Sequence, residues 1–331
     1  DRRRGVTLSI KNKYRASYAR QVRTLWQRMA RTVRRHPFLI TLHFVATGFA
    51  ALSIGAIFFQ AGRDTGGIQN RMGCLFFMLL YLTLMSLSSL PVWREDRLLF
   101  LRERASGAYG TNAYFTSMVC FDIFILRVLP PVFFTVITYP LVGFHTSANP
   151  GVTLGCALWF TAVMVLTNIA ASSLCMAIGI VTPSNAVANV CGLLVLLVSV
   201  LCGGFLLNKQ EPGDHGGGDG GVAQHGKSLV VQWLTKTSFV NYAFDALLIN
   251  EFLDAGTFQF TPKWNDANSH TGRSQISVDV TGREVLQFFS FGDTRATLVK
   301  DVTALCAIAG FYLVLAFVLL KANVKRFGVG D

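Results

Sequence analysis

One stretch, Gly221-Val-Ala-Gln-His-Gly226-Lys227-Ser228, has the spacing of a phosphate-binding loop. In such a loop, backbone amides cradle the phosphates, the lysine neutralises them and the hydroxyl holds a metal ion. The chemistry requires a buried strand before the loop and a helix N-terminus after it. Here the preceding residues, Gly213 to Gly221, run Gly-Asp-His-Gly-Gly-Gly-Asp-Gly-Gly, which is too flexible for such a strand. The match is taken as chance. His215, Asp219 and His225 lie close in sequence, but their spacing fits no usual ligand set, and solvated loop side chains are the simpler reading. With no nucleophile, base and metal together anywhere, the chain is expected to hold no catalytic residue and no metal.

Other polar residues stand inside apolar runs. Asp122 and Arg127 share one such run. Ionisable groups at membrane depth are expensive and usually face a bundle interior or a cavity. Snorkelling to the headgroups is the alternative. Their separation of five makes a direct pair on one α-helix awkward. Tyr81, Thr83, Ser86, Ser88 and Ser89 form a second polar group, and Thr167, Asn168, Ser172 and Ser173 a third. Residues of this kind serve close helix packing or contact a substrate. The cysteines Cys74, Cys120, Cys156, Cys175, Cys191, Cys202 and Cys306 all fall in apolar segments without metal spacing, as small packing residues do.

The elements that must position these residues follow from composition. Of 331 residues, 52% are apolar and 15% charged, a membrane-domain balance. The net charge of +12 is uneven: Asp1 to His36 holds twelve Lys or Arg against one acid. Beside apolar runs, such an excess points to a lipid surface and not to nucleic acid. About 20 apolar residues cross a bilayer. Phe38–Phe59, Met72–Trp93, Phe115–Val142, Val152–Val181, Ala186–Leu207 and Val302–Leu320 qualify, each as an α-helix, because lipid offers backbone amides no partner. The expected fold is an all-α membrane bundle of six transmembrane helices.

Before the first span, Tyr14 to Arg35 is amphipathic, with Tyr14, Tyr18, Val22, Leu25, Met29 and Val33 on one face and Arg20, Arg23, Arg31 and Arg34 on another. It would lie in the headgroup layer. The basic arm, the loop with Arg94, Arg97, Arg102 and Arg104, and the tail with Lys321, Lys325 and Arg326 share one side, read as cytoplasmic. Both termini are then inside. The long segment before the last span, with seven basic and ten acidic residues from Asn208 to Leu298, is then outside. Its aromatics Trp233, Phe239, Tyr242, Phe244 and Phe252 are expected to pack as a small cap. Residues 1–36 form a linker and amphipathic helix. Residues 37–207 hold spans one to five, with a charged amphipathic helix near 94–106. Residues 208–298 form the outer loop, and 299–331 the last span and tail. The start at Asp1 suggests a piece of a longer protein.

Along the chain stand Gly67-Ile-Gln-Asn-Arg71 with Leu75-Phe-Phe77, Phe100-Leu-Arg-Glu103 with Ser106-Gly-Ala-Tyr109, Ala113-Tyr-Phe115, Arg127-Val-Leu-Pro130 and Asn250-Glu-Phe-Leu253. Together these motifs resemble the transmembrane domain of G-subfamily ATP-binding cassette half-transporters. Their order and spacing match across essentially the whole chain. The resemblance implies a type 2 exporter fold, with 14–35 as connecting (elbow) helix and 94–104 as coupling helix, Asp96, Arg97, Arg102 and Glu103 among its residues. It implies a nucleotide-binding domain earlier in the same polypeptide, holding ATP and magnesium. No cofactor is expected on this chain. It implies a second half-transporter, the same or different, with substrate between the two.

The resemblance further implies that Phe77, Tyr81 and Leu84, with Arg127, Leu193, Leu197 and Val200, line the substrate cavity. Phe205 and Leu206 match an apolar plug toward the outside, and Arg127 a position linked to substrate choice. Leu84 stands where the family's exporter has a clamping aromatic. The family's loop cysteines are missing, so no disulfide across the dimer is expected. The function implied is ATP-driven export of hydrophobic or amphipathic small molecules from the cytoplasm or inner leaflet, expected at the plasma membrane. A sterol or phospholipid floppase of the same fold is the second reading, and a passive channel or scaffold the third.

Overall fold

The computed structural model describes residues 16–35, 37–90, 99–104, 106–144, 150–204, 229–253, 255–260 and 278–326. An amphipathic helix, α1 (Tyr18–Arg35), precedes α2 (Phe38–Ile57) and α3 (Thr65–Met85), which tightens into a 3₁₀ turn at Ser86–Ser88. α4 (Thr111–Asp122), a π-helical stretch Ile123–Val128 and α5 (Leu129–Val142) form one continuous rod. α6 (Pro150–Val181) and α7 (Asn185–Leu201) follow, then α8 (Leu229–Thr237) and α9 (Phe239–Phe252). Strands β1 (Thr257–Phe260) and β2 (Val278–Thr281) pair antiparallel, Thr257 opposite Thr281 and Phe260 opposite Val278. α10 (Gly282–Phe288) and α11 (Arg295–Arg326) end the described chain.

Five helical segments are long and apolar enough to span a bilayer: α2, α3 with its 3₁₀ turn, the α4–α5 rod, α6 and α11. The chain is a multi-pass membrane protein of largely helical build. The segment expected as the fifth span is a shorter apolar helix, α7, of 17 residues. The second span starts at Thr65, well before Met72. Asp64 caps it by accepting from the Gly67 amide at 3.0 Å; in its first turns Gly67, Ile68 and Arg71 are buried while Gln69 and Asn70 are exposed. A Cβ on Gly67 would stand 2.1 Å from the Gly62 carbonyl oxygen, so that position needs glycine.

α6 is the central post. Its spanning window is 72% buried, against 17% for α2 and α11, and it packs on α3, α5, α7, α9 and α11. The larger core joins α3, α6 and α9 through Leu75, Met78, Leu79, Phe160, Met164 and Phe244. A second core gathers at the opposite end, where Leu25 of α1 meets Phe100, Tyr114, Met118, Ile180 and Leu320. α9 is buried along nearly its whole length. Phe239, Phe244 and Phe252 belong to the main core, while Trp233 of α8 is exposed.

Candidate functional site

Pro130 and Pro131 lack the N–H groups that would bond the carbonyls of Leu126 and Arg127 in an α-helix. The rod widens there into π geometry, which is frequent at functional sites. Both orphan carbonyls find one donor: Asn168 Nδ2 of α6 lies 3.4 Å from the Leu126 oxygen and 3.2 Å from that of Arg127. The single Ser86 Oγ proton is shared between Asn168 Oδ1 and the Leu82 carbonyl, each at 3.1 Å. One amide thus locks three spans. The sequence placed Asn168 only among packing or contact residues; two adjacent prolines inside a span were the signal that a donor must face them.

The π stretch also changes the relation of Asp122 and Arg127. A turn closing at i+5 brings residues five apart onto one face. The Arg127 guanidinium donates to Asp122 through Nε at 3.3 Å and Nη2 at 3.4 Å. The expectation that this separation makes a pair awkward holds for an α-helix and fails here for that reason. Arg127 is 1% exposed, and its Nη1 has no hydrogen-bond partner among the described residues.

Phe77, Tyr81 and Leu84 share a stripe of α3; Phe77 is exposed and the other two are half-buried. The Tyr81 hydroxyl donates to Thr47 Oγ1 of α2 at 3.1 Å, and its ring stacks on Phe134 of α5 at 5.4 Å. On α7, Leu193 and Leu197 are exposed, while Val200 is covered. Near that end, Ser238 Oγ holds the Ser199 carbonyl at 2.6 Å and Val240 approaches Gly203. Phe205 and Leu206 lie outside the described residues, as do His215, Asp219, His225, Gly221–Ser228, Asp96 and Arg97.

At the end of the second core, Arg28 of α1 grips Glu103 through Nη1, 2.8 Å from each carboxylate oxygen. The Tyr109 hydroxyl donates to Glu103 Oε2 at 2.5 Å. Burial pushes the Glu103 carboxyl up, but the bonds from Arg28 and Tyr109 outweigh it and hold the carboxyl below its ordinary range. Burial and then the Glu103 bond push the Tyr109 phenol upward. Tyr109 stacks beside Phe100, which lies on Tyr114 at 4.2 Å. Gln21 accepts from the Gly110 amide at 3.0 Å. The helical stretch 99–104 is therefore clamped to α1; Arg102 on it is exposed.

The other end carries a pair that the sequence did not assign to any site. Arg71 Nη1 donates to Glu251 Oε1, both side chains being almost fully buried. Arg71 also donates to the Ala61 carbonyl at 2.7 Å and to that of Gly62 at 3.4 Å. Asn250 Nδ2 reaches the Cys156 carbonyl at 3.0 Å. The motifs ending at Arg71 and starting at Asn250 are thus two halves of one junction between α3, α9 and the start of α6.

Residues 20–212 match the family model described as ABC-2 type transporter. The chain is 31% identical over 316 residues to ABC transporter G family member 24 of Dictyostelium discoideum, covering 95% of this chain and 24% of that protein. It is 28% identical over 309 residues to the pig broad substrate specificity ATP-binding cassette transporter ABCG2, covering 93% and 43%. It is 25% identical over 306 residues to a probable ATP-dependent permease of Saccharomyces cerevisiae, covering 92% and 26%. The chain spans between about a quarter and just under half of these relatives' lengths.

Proposed function

The chain belongs to the ABC-2 type transporter family, and from that premise we propose that it is the membrane half of an ATP-driven exporter of apolar or amphipathic molecules. In this reading α7 completes six spans and α1 is the elbow helix, with both termini cytoplasmic at the plasma membrane. A nucleotide-binding domain holding ATP and magnesium belongs to the same polypeptide, and a second half-transporter faces the first. Magnesium-nucleotide would supply the energy there; no step in this chain runs through the Gly221–Ser228 pattern.

The observation that carries the reading is a set of mostly apolar, open side chains on α3 and α7, together with a buried cation that has a spare donor. Phe77, Leu84, Leu193 and Leu197 offer contact to an apolar body. Tyr81 is held by Thr47 and Phe134, so its ring is fixed. Arg127, anchored by Asp122, has Nη1 left to meet an acceptor on a substrate. A push on 99–104 would travel to α1 through Arg28 and Glu103, and to the spans through Phe100 and Tyr114. Phe205 and Leu206 would form the outer plug.

Inside-out vesicles carrying the full-length protein should take up substrate only with hydrolysable ATP; no ATP-dependent movement of any amphiphile ends this reading. Arg127→Ala should change which members of a substrate panel are moved more than it changes ATP hydrolysis, and an unchanged panel counts against the role given to Arg127. Leu84, an aliphatic side chain in the stripe, favours a second reading, a sterol or phospholipid floppase. Stimulation of ATPase activity by sterols and not by flat aromatic drugs would select it.

A further inference from the structure

α1 contains no acidic residue, and Arg20, Arg23, Arg31 and Arg34 recur at intervals of three, eight and three. At 3.6 residues per turn they form one stripe. All four are exposed, and among the described residues none forms an ion pair. The opposite face is fully committed: Gln21 and Leu25 are buried, and Arg28 is taken by Glu103. Trp26 lies on the flank between the two faces, 41% exposed, its ring edge-on to Phe121 of the α4–α5 rod. Tyr18 reaches the same rod through Thr116 at 2.8 Å. The stripe is therefore held at the ends of the spans by contacts that leave the arginines free.

We propose that this stripe is a binding surface for anionic phospholipid headgroups, and that α1 takes them in preference to zwitterionic ones. Guanidinium groups pair with phosphate and carboxylate oxygens in two-pronged fashion. Clustered basic residues at the membrane surface gain attraction from anionic lipid with each charge. The exposed Trp26 supplies the ring that settles at headgroup level. The Arg28–Glu103 grip and the Gln21–Gly110 bond tie α1 to the segment 99–110, so headgroups on the stripe brace that segment as well. The inference rests on the reading of α1 as lying on the cytoplasmic bilayer surface.

The test uses the full-length protein in nanodiscs, with Trp26 as its sole tryptophan. Quenching of Trp26 fluorescence is compared between brominated phosphatidylserine and brominated phosphatidylcholine at equal mole fraction. Phosphatidylserine is expected to be favoured about threefold or more at low salt, less at high salt, and the preference should fall to near unity when Arg20, Arg23, Arg31 and Arg34 are all changed to Gln. Native mass spectrometry of the unaltered protein should show the same preference in retained lipids, which covers the case of a misfolded tryptophan variant. Equal quenching by both lipids, a preference that survives the glutamine changes, or a Trp26 shielded from both lipids by an acidic protein surface overturns the proposal. Failure of the exporter reading is separate: it shows as absent ATP-dependent uptake in every lipid and leaves the quenching ratio untouched.

Discussion

The side-chain amide of Asn168 stands in for two backbone donors that proline removed, and this sets how costly its loss should be. Asn168→Leu leaves the carbonyls of Leu126 and Arg127 without their side-chain donor at a packed site, while the Ser86 hydroxyl keeps the Leu82 carbonyl. Each unmet buried group costs about 1–3 kcal/mol, whereas an interhelical hydrogen bond in a membrane bundle contributes about 0.6 kcal/mol on average. Ser86→Ala removes the hydroxyl that Asn168 Oδ1 and the Leu82 carbonyl share, and keeps the amide on its two carbonyls. Thermal unfolding in detergent should therefore show a drop for Asn168→Leu several times that for Ser86→Ala; equal drops would mean that the carbonyls are served by something else. The polar residues of the spans were all visible in the sequence, but their partners were not. Asp122 and Arg127 look mismatched under α-helical spacing, and only the π stretch that follows from Pro130 and Pro131 brings them together. Side-chain periodicity carries no information about such a local change of helical winding.

Between elements, the two ends of the bundle are fastened differently. At one end Arg71 and Glu251 join α3 to α9 as a buried ion pair. Removing one member of such a pair strands a charge, at about 3–5 kcal/mol, while replacing both with apolar groups of similar size is far milder. Glu251→Leu alone should lower the unfolding temperature more than Arg71→Met with Glu251→Leu together, even though the double change also frees the carbonyls of Ala61 and Gly62. A double variant as unstable as the single one would show that the charges themselves do not matter. At the other end Glu103 clamps α1, and its folded pKa is depressed. A depressed carboxyl gives stability that is complete above its unfolded pKa, about 4.3, and lost as pH falls through the folded value. The difference in unfolding temperature between the parent and Glu103→Gln should be constant from neutral pH down to about 5 and shrink below that. A difference that stays flat into acid would break the link. Neither fastening is apparent in hydropathy. Apolar runs located the membrane helices well, because burying twenty greasy residues leaves few choices. They started the second span too late, since the buried Arg71 is accommodated there by Glu251 and the Ala61 and Gly62 carbonyls, which a hydropathy run does not show. The aromatics of α9 gave it an apolar character, and which helices it would pack on, α3, α6 and α11, was not visible in them.

For the molecule as a whole, α7 is, with α2 and α11, among the elements whose apolar surface this chain leaves open. It presses on the body along a single line, Ala188, Gly192, Leu196 and Val200, and most of the rest is exposed and apolar. Gly192 allows the close approach, since a Cβ there would come 2.8 Å from Leu90 Cδ1. Lipid could cover the remainder on every side, or a second half-transporter could cover one side. The two cases differ in angle. From the line through Gly192 and Leu196, Leu193 and Leu197 turn one way around the helix and Val195 turns the other, at about 100° per residue. In the exporter reading a two-fold axis passes the Leu193 and Leu197 side and lipid covers the Val195 side. Single cysteines at these three positions, with Cys191, which is exposed on the same helix, changed to Ser, should separate them. Short oxidative cross-linking in membranes should join two copies through position 193 or 197 and not through 195. In that same reading the join should be sensitive to the nucleotide state, because a transport cycle would change the distance across the axis. Equal cross-linking at all three positions would mean random encounters of monomers. Cross-linking at 195 alone would put the partner on the other face, and the stripe of Phe77, Tyr81 and Leu84 would then have no second wall.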